Sequence, residues 1–127
     1  MNHIPGKHIL IIDDSLDQQV LLRTVLEADG YRIDCTSNGE EALTHLDQTD
    51  NLPTMILLDM YMPVMGGVAF RNLQIENPRM MNIPVIVMTG ATDLISAQEK
   101  TNAAEILVKP FNVASLMDVV KRFSRLH

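Results

Sequence analysis

Apolar residues in this chain follow two rhythms. Three short runs are unbroken, at Ile9 to Ile12, Met55 to Leu58 and Val85 to Met88, and each ends on polar groups: Asp13-Asp14, Asp59 and Thr89-Gly90. A continuous apolar run bounded by breakers is how a parallel strand covered on both faces reads. Strands are therefore expected over His8 to Asp13, Met55 to Asp59 and Ile83 to Thr89, with Pro84 tolerated near the start of the last. Between them the second rhythm takes over. Leu16, Val20, Leu22, Val25 and Leu26 recur at helical spacing behind a cap at Asp14 or Ser15, until Gly30 stops the helix. Gly67 to Glu76 gives another helix, ended by Asn77-Pro78 because the residue before proline is pushed out of the helical region. Asn112 caps a last helix whose apolar face is Val113, Leu116, Val120 and Phe123, with Lys121, Arg122 and Arg125 complementing its carboxyl end.

The remaining segments are weaker. Tyr31, Ile33 and Cys35 alternate with Arg32, Asp34 and Thr36, so Tyr31 to Ser37 suits an edge strand with one wetter face. Asn38-Gly39 reads as a turn, Glu40 to Leu46 as a short helix turning Ala42, Leu43 and Leu46 inward, and Asp47 to Pro53 as a polar return. Asp93 to Asn102 is a helix with little more than Leu94, Ile95 and Ala97 to bury, which makes it the least firmly anchored element. Glu105 to Val108 is a short fifth strand ending on Lys109-Pro110, and residues 1–7 form a loose lead-in.

Five strand-helix units in strict alternation define an α/β fold, a parallel sheet with helices on both faces joined by right-handed crossovers. The flavodoxin-like, doubly wound order 2-1-3-4-5 leaves the alternating strand at an edge and sets strands one and three side by side. Ligands in such sheets bind beyond the carboxyl ends of the strands. Those ends carry Asp13, Asp14, Asp59, Thr89 and Lys109.

A chain of 127 residues is expected to be one domain, burying roughly two-thirds of its unfolded surface. With 46% apolar and 20% charged residues, the composition is that of a globular chain. A net charge of -6 without any Lys/Arg cluster argues against nucleic acid as a partner. Cys35, the lone cysteine, excludes an internal disulfide and is read as a small core residue. No apolar run approaches the ~20 residues that span a bilayer, so a membrane partner is not expected and the setting reads as cytoplasmic. His3, His8, His45 and His127 show no ligand spacing.

Three carboxylates at neighbouring strand ends repel one another, by on the order of 4 kcal/mol per pair at about 4 Å and a surface-like dielectric. A cation relieves this. Oxygen ligands with room for water favour Mg²⁺. Lys109 offers a compact positive charge for a phosphoryl group, and the Thr89 hydroxyl can donate to an anionic oxygen. Together these describe a phosphoryl-transfer site in which Asp59 is the carboxylate nucleophile. Each residue also has a plain structural reading, as a helix cap, a solvated acid, a strand-end hydroxyl or a lysine reaching for solvent.

The ordered set resembles the receiver domain of two-component response regulators, over essentially the whole chain from Ile9 to Arg125. The matching positions are Asp13-Asp14, Asp59 with Pro63 and Gly67, Thr89, and Lys109-Pro110-Phe111. The resemblance implies that Asp59 accepts a phosphoryl group from a sensor histidine kinase or a histidine phosphotransfer protein. By the same resemblance Asp14 and Asp59 bind Mg²⁺ directly and Asp13 through water, with the Tyr61 backbone carbonyl as a further ligand. Lys109 pairs with the phosphoryl group, Thr89 moves to bond it, Gly90 supplies a backbone donor, and the peptide bond before Pro110 is cis. Such a domain is not an enzyme beyond its own phosphotransfer and dephosphorylation. It acts in a phosphorelay through a downstream protein target or self-association.

One position departs from the family pattern. An aromatic residue usually lies three positions before the lysine and turns inward as the threonine moves, whereas here it is Ile106, a β-branched side chain with no ring to swing. Thr89 is then expected to act through the Asp93 to Asn102 helix, remodelling the face built from that helix, strand five and the last helix. Tyr61 occupies the position that tunes access of water to the acyl phosphate, and Met60, Met62 and Met65 form a soft apolar rim. A nucleotide- or flavin-binding module on the same sheet lacks its Gly-rich cradle here. A dehalogenase-like phosphatase is expected to carry a second Asp where this chain has Tyr61. A receiver-fold adaptor that signals without phosphorylation is the alternative that Ile106 keeps open.

Overall fold

Every residue of the first and third strands is buried, which is the geometric consequence of their unbroken apolar runs. The computed structural model describes residues 7–124; most of the expected lead-in, and Arg125, His3 and His127, lie outside them. The strands are β1 (His8–Ile12), β2 (Arg32–Thr36), β3 (Met55–Asp59), β4 (Val85–Gly90) and β5 (Glu105–Lys109). They alternate with α1 (Leu16–Ala28), α2 (Gly39–Gln48), α3 (Gly67–Ile75), α4 (Leu94–Thr101) and α5 (Val113–Ser124). All pairings are parallel, in the order β2-β1-β3-β4-β5. This is the doubly wound, flavodoxin-like arrangement expected from the alternation.

Successive strand residues point to opposite faces, so the sheet builds two cores. Ile9, Ile11, Leu57 and Met88 meet Leu22 and Leu26 of α1 and Leu116, Val119 and Val120 of α5. Leu10, Ile12, Leu58 and Val87 meet Ala42 and Leu46 of α2, Phe70 of α3 and Ala97 of α4. No helix among the described residues is long and apolar enough to cross a membrane.

Several expectations shift at the level of side chains. Leu16 and Val20 stand on the outer face of α1, 71% and 63% exposed, because at about 3.6 residues per turn they lie roughly 80–160° round the helix from the buried Leu22 and Leu26. Val113 likewise faces out, and Val119 takes its place in the core. Asn38-Gly39 is not a separate turn but the start of α2. The Asn38 side chain accepts the Glu41 N–H at 2.9 Å, and Glu41 reaches back to the Ser37 N–H at 3.1 Å. The same small polar residues serve a turn or a cap, and the cap wins because the N–H groups of a first helical turn need acceptors. Gly90 and Lys109 close their strands one residue later than expected, in register with each other, and β1 stops one residue earlier, before Asp13.

The wetter face of β2 is covered rather than open. Asp34 accepts from the buried His8 Nε2 at 2.7 Å, and His45 of α2 lies 3.3 Å from the same carboxylate oxygen. This cluster fastens α2 to the edge of the sheet. Burial opposes the charge on Asp34, but the His8 hydrogen bond and the charges of His8, Arg32 and His45 outweigh it and hold the carboxyl below its ordinary value. A carboxyl lowered on folding contributes stability above its unfolded pKa, and that contribution drains away as pH falls through the lowered value. Asp34→Asn is expected to lower the unfolding free energy in urea by about 1–2 kcal/mol at neutral pH. The gap from wild type should begin to narrow only below about pH 4, as pH falls toward and through the lowered value.

Candidate functional site

The exits of β1 and β3 lie side by side, and the chain turns sharply at both. At the first, the Asp13 N–H bonds to the Thr36 carbonyl at 3.0 Å while its Oδ1 accepts the Ser15 N–H at 2.9 Å, which bends the backbone into α1. Ser15, rather than Asp14, caps that helix, accepting the Gln18 N–H at 3.2 Å. Gln19 donates to the Asp13 carbonyl at 2.6 Å. Asp13 is thus buried and fixed by three backbone-directed bonds, and Asp14 is left exposed beside it.

Asp59 ends β3 and is 8% exposed. One oxygen of each carboxylate of Asp13, Asp14 and Asp59 falls within a common 4.8 Å. Lys109, the last residue of β5, sends its Nζ to Asp59 Oδ1 at 2.9 Å. Thr89 is buried at the end of β4, and its hydroxyl has no hydrogen-bond partner; neither does Asp13 Oδ2. They are two of six buried side-chain polar atoms without partners among the described residues, and both sit at carboxyl ends of strands. Gly90 borders open space, since a Cβ built there meets no atom within 4 Å. All five residues singled out from the strand ends come to this edge of the sheet.

The like charges leave their mark on Asp13. Burial pushes its carboxyl above the ordinary carboxylate range, and the charges of Asp59 and Asp14 add to this against the Ser15 N–H and Lys109. A divalent cation suits this donor set: all the ligands are oxygens, their summed charge is only partly offset by Lys109, and one carboxylate oxygen is unpartnered. The site therefore fits Mg²⁺.

The loop after Asp59 is built by close backbone approach. A Cβ on Gly67 would lie 2.7 Å from the Asp59 carbonyl oxygen, so only glycine lets α3 start there, with its N–H bonded to the Met60 carbonyl at 2.9 Å. The Met65 N–H reaches the Pro63 carbonyl at 2.8 Å, closing a three-residue turn that holds Val64 at φ 70°. A β-branched residue in the left-handed region is strained by about 1–3 kcal/mol. Val64 had no mark in the sequence beyond its place after Pro63. The expected methionine rim is mostly inside: Met60 is buried, and Met65 packs over Gly39. Tyr61 and Val64 are the exposed apolar groups instead, at 63% and 77%. The neighbouring Asp93 carboxylate raises the Tyr61 phenol above its ordinary value. Ile106 is half-buried, opposite Val87 and against the α4 side of the core. The Lys109–Pro110 peptide bond is cis.

Residues 9–121 match the family described as response regulator receiver domain. Sporulation initiation phosphotransferase F of Bacillus subtilis (strain 168) is 33% identical over 121 residues, covering 93% of this chain and 94% of the relative. Two transcriptional regulators among the curated relatives, of Rhizobium meliloti and Haemophilus influenzae, are longer, and the chain spans about half their length. The signal receiver domain of a signal transduction histidine kinase from Syntrophus aciditrophicus superposes with a TM-score of 0.86 at 33% identity, over 94% of this chain and 90% of that one. The fold is also that of the receiver domain of a sensor histidine kinase from Pseudomonas aeruginosa PAO1, solved with magnesium in its active-site cleft (TM-score 0.83, 24% identity, 94% of this chain and 98% of that one).

Two outcomes follow from this geometry. An acid raised on folding costs stability above its unfolded pKa, and the cost vanishes below it. Asp13→Asn is therefore expected to stabilise the chain by about 1–2 kcal/mol at neutral pH in the presence of a chelator, a gain that disappears by about pH 3, as urea unfolding at both pH values will report. Val64→Asn, which tolerates the left-handed region, is expected to raise the unfolding free energy by about 1 kcal/mol.

Proposed function

The chain belongs to the response regulator receiver family, and from that premise we propose that it is a Mg²⁺-dependent phospho-acceptor switch in a two-component phosphorelay, with Asp59 as the acceptor. The observation that carries this reading is the Lys109 Nζ to Asp59 Oδ1 contact of 2.9 Å inside a cluster of three carboxylates. A structural ion pair needs one acid; two more beside it add repulsion that serves only to hold a cation next to the acceptor.

Asp13, Asp14, Asp59 and the Tyr61 backbone carbonyl would hold the Mg²⁺. Once bound, the metal neutralises charge on the phosphoryl oxygens. The magnesium in the cleft of the Pseudomonas aeruginosa domain fits this assignment. A carboxylate oxygen of Asp59 forms the bond to phosphorus as the phosphorus–nitrogen bond to the donor imidazole breaks, and the imidazole leaves. Lys109 moves its ammonium from the bare carboxylate to the phosphoryl oxygens. Thr89, whose hydroxyl is unpartnered, donates to the same group, and Gly90 adds its backbone N–H.

The donor is a sensor histidine kinase or a histidine phosphotransfer protein. Apolar side chains stand exposed on α1 at Leu16, Val20 and Leu21 and at the start of α5 at Val113, and a cavity of about 370 Å³ lined by Gln18, Leu21, Lys109, Pro110 and Phe111 opens beside the lysine. Such a surface suits a protein donor rather than nucleic acid or membrane, as does the net charge of -6. The proposed setting is cytoplasmic, and the chain turns over no substrate beyond its own phosphotransfer and dephosphorylation. Output runs through the face of α4, β5 and α5 to a protein target or a second copy. With Ile106 in place of a ring, the movement of Thr89 passes into α4.

Intact mass after incubation with Mg²⁺ and acetyl phosphate tests the reading. One phosphoryl adduct is expected for wild type and none for Asp59→Asn or for a chelated sample. A cation that still binds without any adduct would favour the phosphorylation-independent adaptor.

A further inference from the structure

The helices α2, α3 and α4 share one face of the sheet, with α3 packed against both neighbours. A helix leaves its last carbonyls without intrahelical donors. At the end of α4 the last helical carbonyl and that of the cap residue are taken by Arg71 of α3, whose Nε donates to the Thr101 carbonyl at 2.8 Å and whose Nη2 donates to the Asn102 carbonyl at 3.2 Å. Its Nη1 donates to Gln74 Oε1 at 2.8 Å. Gln74 is fully buried, and its amide donates in turn to the carbonyls of Met80 at 2.9 Å and Ile83 at 3.0 Å. A polar strut thus runs from the segment before β4, through α3, to the last turn of α4. The cation also sits at the negative end of the helix dipole. Thr101 is buried there and bonds back to the Ala97 carbonyl at 2.7 Å.

The opposite end of α4 has no such fixing. Asp93 occupies the cap position without accepting a helix N–H, its carboxylate meeting only the exposed Tyr61 phenol, the single 3-10 turn Ala91–Asp93 joins directly to Thr89-Gly90, and Ile95 is 69% exposed. We propose that Arg71 is the pivot of α4, a positioning residue that makes the helix open from the end nearest Thr89 while Thr101 and Asn102 stay fixed. This rests on the phospho-acceptor reading for its trigger, though the pivot itself is a property of the resting chain. Lysine cannot replace the arginine, because three acceptors are met by one planar fork. Arg79 provides an internal control: it donates to the Leu46 carbonyl at 3.2 Å and to the Thr49 carbonyl, clamping the end of α2 instead.

Residue-resolved amide exchange on the full chain tests the pivot, for wild type, Arg71→Met and Arg79→Met, each alone and with Mg²⁺ and beryllofluoride as the probe. In resting wild type, amides at 95–97 are expected to exchange about tenfold faster than those at 100–102. Arg71→Met should abolish this gradient by speeding 100–102 about tenfold, while Arg79→Met leaves it within about twofold and β3 is unchanged in both. With the probe, the wild-type response should stay within 91–97, and in Arg71→Met it should spread to Asn102. A flat profile along α4 in resting wild type, or exchange at 100–102 within about twofold of wild type in Arg71→Met, would overturn the proposal. A probe that alters nothing around Asp59, Thr89 and Lys109 would defeat the phospho-acceptor reading, and the resting gradient would still decide the pivot.

Discussion

Three carboxylates held within 4.8 Å of one another at the edge of a dry sheet are the constraint on which the rest of this structure depends. The repulsion cannot relax, because Asp13 is tied by its own backbone to β2 and α1 and Asp59 is the last residue of a fully buried strand. It is met by one fixed cation, Lys109, brought from two strands away by the register of β4 with β5. The order β2-β1-β3-β4-β5 is what converts five positions spread from 13 to 109 into one charged cleft. Moving β5 elsewhere in the sheet would leave Asp59 without its partner.

The two sides of the sheet support this cleft differently. On one side α1 and α5 close over the sheet with side-chain packing, including Tyr31, whose hydroxyl meets Ser124 at 2.7 Å. On the other side the helices end on polar groups that hold main-chain carbonyls: Arg71 for α4 and Arg79 for α2. These clamps lie at the end of the layer away from the carboxylates. The cleft end is held by weaker devices, a strained turn at Val64 and an Asp93 cap that accepts no helix N–H and meets only the exposed Tyr61 phenol. On this side of the sheet the firmer helix ends are the ones away from the carboxylates.

Strands β1, β3 and β4 were legible because burial on both faces writes itself as four apolar residues in a row, and Asp13, Asp59 and Thr89 followed from that, whereas β2 showed as an alternation and β5 as three apolar residues ahead of Lys109. Helix faces were less legible. Leu16 and Val20 are four apart, as are Leu22 and Leu26, but the two pairs lie on different faces of α1, and the spacing within a pair does not say which face is covered. Asn38-Gly39 carries the same chemistry in a turn as in a cap. His8, Asp34 and His45 gave no signal, since their meeting depends on the placement of α2 over β2 rather than on any spacing. Arg71 and Gln74 are three apart on α3, an ordinary helical interval, and their carbonyl partners carry no residue identity that a sequence could display.

That last point has a consequence for how such a protein can change over generations. Arg71 grips Thr101 and Asn102 by their carbonyl oxygens, which nearly any amino acid would supply. The outward side chains of α4, Ile95, Gln98 and Glu99 among them, take no part in the grip. Lineages are therefore free to rewrite that surface, and with it the identity of whatever binds there, without disturbing the mechanical seating of the helix. The seating of α4 and the composition of its outer surface are thus carried by separate residues.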